Sequence, residues 1–202
     1  MKRFSIYAFI AFPLTMIIPM PGRFVYGVVL ALEFNFLVLF GSLINSFINK
    51  LKLNELKSFL YIFFFIIITV LFRQILKITQ PEIALTLGIL TFFPSVSIFL
   101  LGYIFTNSEK KLSEKIKIDM KDSLFYTMYL LVFNLFRDIV GYGTFTFFGA
   151  NHQIYQKVLF DSSKLSFTSI FASLPGSLAA TAIIMYVYFF LKNKFQIIKN
   201  AE

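Results

Sequence analysis

The chain has 202 residues, is 58% hydrophobic and only 14% charged, and has a mean hydropathy of +0.78. That is more apolar surface than one water-soluble core can hide, so the excess must face lipid and no soluble domain fits beside it. The formal charge of +9 comes without a basic helix or an RNA-binding motif, which excludes nucleic acid as a partner, and the absence of cysteine excludes disulfides, thiolate catalysis and ordinary iron–sulfur ligation.

A spanning helix needs about 20 mostly apolar residues. Runs of that order predict six helices at Phe4–Met20, Phe24–Ile48, Ser58–Ile78, Ile83–Phe105, Ser123–Thr144 and Phe167–Leu191, in one all-α integral membrane domain covering residues 1–202. Within lipid only a helix satisfies its backbone internally, so period-two strands are not expected to cross.

The first run follows Met1-Lys2-Arg3 and imitates a signal peptide, but Pro19-Met20-Pro21-Gly22 offers no small-x-small cleavage site, so the run is expected to stay as a span. Pro13, Pro19, Pro21 and Gly22 break that helix in and after its apolar run. The second run carries Glu33 and the third Arg73, and ionisable residues inside spans are costly enough to be functional candidates with a partner to name. The fourth run is interrupted at Phe93-Pro94-Ser95. Pro94 either kinks a packed helix or marks a discontinuous helix at a site, and the sequence does not choose.

The fourth loop, Asn107–Asp122, interleaves lysines and acids around Leu112, Ile116 and Ile118, the pattern of a short surface helix or a solvated connector. The fifth run ends in Arg137-Asp138. These two, with Glu33 and Arg73, fall toward one half of the membrane, where Glu33 can meet Arg73 or Arg137. Such a group either lines an ion path or neutralises itself as packing. His152 follows in a loop as the only histidine. One imidazole makes no metal site, and no serine spacing supports a Ser/His/Asp triad.

Lys2, Arg3, Lys50, Lys52, Lys57, the lysines of Lys110–Lys121, Lys192, Lys194 and Lys199 collect on one side of the six spans. Arg23, Lys77, Lys157 and Lys164 collect on the other. The positive-inside rule then places both termini in the cytoplasm. The breaks in the first and fourth helices correspond if the chain is two three-helix halves. Three spans per half force opposite orientations, so any repeat is inverted.

Leu135-Phe136-Arg137-Asp138-Ile139-Val140-Gly141-Tyr142-Gly143-Thr144-Phe145, with Phe148-Gly149, resembles the Arg-acid-Ile-Leu-Gly-x-Gly-Thr-Leu…Phe-Gly segment of a known family. That family comprises the six-helix integral subunits of the Rnf and sodium-translocating NADH:quinone oxidoreductase (Nqr) complexes. Leu87-Gly88-Ile89, Leu100-Leu101-Gly102 and Leu174-Pro175-Gly176 echo its fourth and last spans. The resemblance implies a bacterial inner-membrane protein of two inverted three-helix repeats with broken first and fourth helices, partnered by other integral subunits, a paralogue among them. It also implies a shared [2Fe–2S] cluster, and there the chain departs: Ser97-Ile98-Phe99-Leu100-Leu101-Gly102 stands where the family has a cysteine, and Thr15–Pro21 has none. Iron needs thiolates or imidazoles, so no cofactor is expected to be held by this chain.

The expectation is therefore a divergent Rnf/Nqr-type subunit of an electron-transport and ion-transport complex, with no catalysis of its own and membrane lipid as its solvent. The substrate-binding membrane component of a vitamin importer, or a non-redox ion or solute carrier, fits size and orientation equally well. Only the fifth-span motif argues against those readings.

Overall fold

The computed structural model describes residues 11–51, 53, 55–101, 112–149, 153–160 and 168–201, with side chains through residue 190. A π-helical turn, Pro13–Ile17, closes the described part of the first apolar run. It is followed by α1 (Phe24–Lys50), α2 (Lys57–Thr79), α3 (Pro81–Leu87), a 3-10 segment (Gly88–Phe92), α4 (Phe93–Leu101) and α5 (Leu112–Phe136). A second π-helical turn (Arg137–Gly141), strands β1 (Thr144–Phe148) and β2 (Ile154–Val158), a 3-10 turn (Thr168–Ala172) and α6 (Leu174–Ala201) complete the order.

The fold is mostly helical, and four of its helical stretches are long and apolar enough to cross a membrane: Phe24–Lys50, Lys57–Thr79, Pro81–Leu101 and Leu112–Gly141. A fifth apolar stretch, Leu174–Phe190, is shorter. The first predicted span lies in part outside the described residues, as do the last four residues of the fourth, the first five of the fourth loop, and His152.

α1 and α5 form the central pair, and they run antiparallel. Ser42 of α1 meets Asp119 of α5, Asn35 meets Ser123 and Gly27 lies under Asn134. The apolar core forms around this pair from Phe12, Met16, Leu30, Phe34, Leu37, Tyr126 and Leu130, with α4 adding Ile98 and Leu101. Phe12 packs its ring edge against Phe34 and leans on Tyr126, which seats the end of the first helix between the two central ones. Outside the core, large apolar side chains such as Phe59, Phe63, Leu85, Met128 and Tyr186 stay exposed, the inverse of a water-soluble surface and what lipid accepts.

Three expectations are corrected. The charged half of the fourth loop is not a separate surface helix: Leu112–Asp122 is the first part of α5, because Leu112-Ser-Glu-Lys-Ile-Lys-Ile-Asp-Met-Lys contains good helix formers and neither Gly nor Pro to stop it. The fifth span does not end as a helix at Thr144. Gly143, at φ +67°, turns the chain into an antiparallel hairpin in which Thr144 opposes Val158 and Phe148 opposes Ile154. The last helix starts at Leu174 rather than Phe167, since Ser173 and Pro175 end the 3-10 turn and open a new helix.

The fourth span is discontinuous over five residues. α3 ends at Gly88, whose φ of +46° and ψ of −114° no L side chain adopts readily, and the 3-10 segment follows at once. Pro94 is the second residue of α4, so it opens the distal half-helix, where a missing N–H is harmless. Thr69 of α2 and Ser95 of α4 share a hydrogen bond of 2.7 Å beside this junction.

Candidate functional site

At the end of α5 the helix widens into the π turn Arg137–Gly141, a local irregularity that recurs at functional sites. It brings Arg137 and Asp138, neighbours in sequence, into two different buried environments. Arg137 is 1% exposed. Its Nη1 donates to the carbonyls of Ile17 (3.1 Å) and Met20 (2.8 Å), its Nη2 to Ala172 (3.0 Å) and its Nε to Phe171 (3.2 Å). Those carbonyls lie at the ends of the broken first helix and of the 3-10 turn Thr168–Ala172, the groups a helix C-terminus leaves without partners and where its dipole is negative. The guanidinium thus finds four acceptors and a favourable field without a carboxylate.

Asp138 does the complementary work. Its Oδ1 accepts from Thr144 Oγ1 at 2.8 Å, and its Oδ2 accepts from the Thr146 N–H at 2.8 Å, Thr146 Oγ1 at 2.6 Å and the Phe24 N–H at 3.1 Å. Phe24 is the first residue of α1, so the carboxylate caps the positive end of the central helix and fixes β1 to it. Charge-assisted bonds of this kind are about twice as strong as neutral ones.

The surrounding small residues follow from this arrangement. A Cβ at Gly22 would stand 2.8 Å from Arg137 Nε, so Pro19-x-Pro21-Gly22 is the segment that makes room for the guanidinium. The break itself runs from Ile18 to Arg23, with the Arg23 N–H bonded to the Pro21 carbonyl at 2.8 Å. Gly141 lies against the backbone of Ala172, and Gly176 against that of Ile170 and Phe171, where no side chain fits.

Glu33 stands apart. It is 0% exposed, and both of its carboxylate oxygens are buried without a hydrogen-bonding partner among the described residues. The pairing with Arg73 or Arg137 is not formed: Arg137 gives its donors to carbonyls, and Arg73 keeps a buried Nε without a partner. At 3.6 residues per turn Glu33 lies on the side of α1 turned away from Ser42 and α5. Of the four charged candidates, the structure sets Arg137 and Asp138 in one joint, while among the described residues the Glu33 carboxylate and the Arg73 Nε have no hydrogen-bonding partner.

Sequence reasoning missed the polar seam between α1 and α5. Ser42 Oγ donates to Asp119 Oδ2 and Ser123 Oγ to Asn35 Oδ1, each at 2.5 Å, with Lys115 buried one turn before Asp119. Lys115, Asp119, Ser123 and Thr127 recur every fourth residue, a signal available once α5 is known to start at Leu112.

Among the described residues no group of three or more His, Cys, Asp or Glu could hold a metal ion. Ile98 is 1% exposed and part of the apolar core. The chain matches no family model, no curated protein and no solved structure.

Proposed function

We propose that this chain is a divergent membrane subunit of an Rnf/Nqr-type ion-translocating complex, one that supplies scaffold and an ion-path carboxylate but no redox centre of its own. The observation that carries the reading is the position of Arg137 and Asp138. The residues on which the resemblance rests are the ones that tie the interrupted first helix, the entrance to the last helix, the start of α1 and the hairpin into one joint.

Six spans, with residues 4–20 and 167–191 completing the four long helices, fit an arrangement of two inverted three-helix halves. The antiparallel α1–α5 pair is the central contact such halves make, and each half contains one interruption, at Ile18–Arg23 and at Gly88–Phe92. The lysine distribution favours both termini on the cytoplasmic side, and the resemblance implies a bacterial inner membrane. Glu33 is the ion-path candidate. A buried carboxylate with no protein partner is costly unless it carries a proton or holds a cation, and intramembrane carboxylates mark such routes. Arg137 and Asp138 act as positioning residues, and Arg73 accompanies Glu33 as a second polar candidate.

Extraction of tagged protein from native membranes in mild detergent, followed by identification of everything that co-purifies, tests the reading. Flavin-binding or iron–sulfur subunits and a paralogue among the companions support it. An ATPase pair assigns the chain to a vitamin importer instead, and recovery of the chain alone overturns the subunit reading.

A further inference from the structure

The hairpin Thr144–Val158 connects the end of one apolar helix to the approach of the next, and its two faces differ. Thr144 and Thr146 turn inward onto Asp138 and the start of α1. The register pairs Phe145 with Lys157 and Phe147 with Tyr155, and these four side chains share the other face. Phe24, the residue that opens α1, stacks against that face at 5.5 Å from Phe145 and 6.2 Å from Phe147. Phe147 is 41% and Tyr155 56% exposed, far more than aromatic rings covered by their own chain.

We propose that this face is seated in the headgroup layer of the bilayer and holds the hairpin there against anionic lipid. Three observations commit it to that occupant. The hairpin begins three residues after the apolar stretch Leu112–Gly141 and lies at the first turn of Phe24–Lys50, so it stands where two spans leave the hydrocarbon. Aromatic rings with one wet edge concentrate at that depth. Basic side chains lie on both sides of the hairpin: Lys157 shares the face of the rings, and Arg23, with its Nη1 on Gln156 Oε1 at 3.0 Å on the Thr146 side, stands over the Tyr142 ring at 5.4 Å. A cation beside an aromatic belt is complementary to lipid phosphate. The hairpin is not free to swing, because the Ile154 N–H is held by Glu82 Oε2 at 3.0 Å and Thr146 by Asp138. Its membrane contact is therefore rigidly linked to the Arg137–Asp138 joint, whatever complex the chain belongs to.

The chain contains no tryptophan, so one introduced indole reports from one place. Phe147→Trp and Tyr155→Trp are made separately in the full chain, each checked for an unchanged thermal midpoint in detergent. They are then reconstituted in vesicles of phosphatidylcholine with and without phosphatidylglycerol. The expected result is blue-shifted emission that loses more intensity to lipids brominated near the headgroup than to lipids brominated deep in the chain. Val132→Trp, on the exposed side of α5, shows the reverse depth order. Phosphatidylglycerol is expected to increase the shallow quenching, and Lys157→Glu to cancel that increase. Emission at the wavelength of indole in water, quenched by acrylamide and not by bromolipid, overturns the proposal. Blue-shifted emission quenched by neither overturns it too, and assigns the face to a second copy of the chain.

Discussion

Arginine and lysine carry the same charge with different reach. Arg137 spreads three nitrogens over four carbonyls from two segments far apart in the chain, which a single ammonium on a flexible stem cannot do. Arg137→Lys keeps the charge but offers three donors to four carbonyls, so at least one is stranded and stability is expected to fall by at least about 1–3 kcal/mol. Thermal denaturation in detergent reads this directly, and an unchanged midpoint would remove Arg137 from its role as a tie. Gly22 supplies the matching test. Gly22→Ala places a methyl 2.8 Å from Nε and must displace the guanidinium, so its cost is expected to be smaller in an Arg137→Ala background than in the parent. Additive costs across the four proteins would mean that Gly22 matters for some other reason. The Arg137-Asp138 pair was visible in the sequence as charge inside an apolar run, but its partners were not. Main-chain carbonyls at a broken helix end leave no mark on residue composition, which is why a carboxylate, Glu33, stood in for them as the expected partner.

The elements divide by the same logic. Long apolar runs such as those of α1 and α2, the second without Gly or Pro, are legible because lipid demands length and composition together. Irregular elements are harder to read. The hairpin was hidden because Thr144-Phe-Thr-Phe-Phe continues the apolar run of α5 with residues suited to either structure, and only the left-handed conformation of Gly143 separates them. The break in the fourth span was legible at Pro94 but starts earlier, at Gly88, a residue that also suits ordinary helix packing. Gly88 offers a clean measurement, because a Cβ there would meet nothing within 4 Å and any cost of substitution is conformational rather than steric. Gly88→Ala is expected to destabilise by more than about 1 kcal/mol, the scale reached when an L residue is forced to positive φ. Gly88→Asn should restore little of it, since ψ of −114° lies outside the left-handed region that asparagine tolerates. If Ala were neutral, the α3 junction would be regular helix and the fourth span would be kinked only at Pro94.

At the scale of the whole molecule, the two halves of the chain meet along the α1–α5 seam and at the Arg137–Asp138 joint, with Glu82 on the hairpin as a further contact. Ser42–Asp119, Asn35–Ser123 and the close approach of Asn134 over Gly27 fasten α1 to α5, and Arg137 reaches back from the second half to Ile17 and Met20 of the first. Transmembrane segments associate through packing of small residues and interhelical hydrogen bonds, so these contacts should suffice without a covalent link. Fragments 1–106 and 107–202, co-expressed as separate chains, are therefore expected to co-purify through a tag on either one. Gly27→Leu tests the seam, because the first carbon of its side chain would already lie 2.9 Å from Asn134 Nδ2 and the rest cannot be accommodated between the helices. That variant is expected to abolish recovery of the untagged fragment, while Leu32→Ala, at a side chain that faces outward, leaves recovery unchanged. Loss with both variants would mean that any change in α1 prevents insertion, and a membrane-fraction blot of each fragment alone separates that case. Undiminished recovery with Gly27→Leu would transfer the main attachment from the seam to Arg137, and Arg137→Ala in the same split chain would then have to separate the halves.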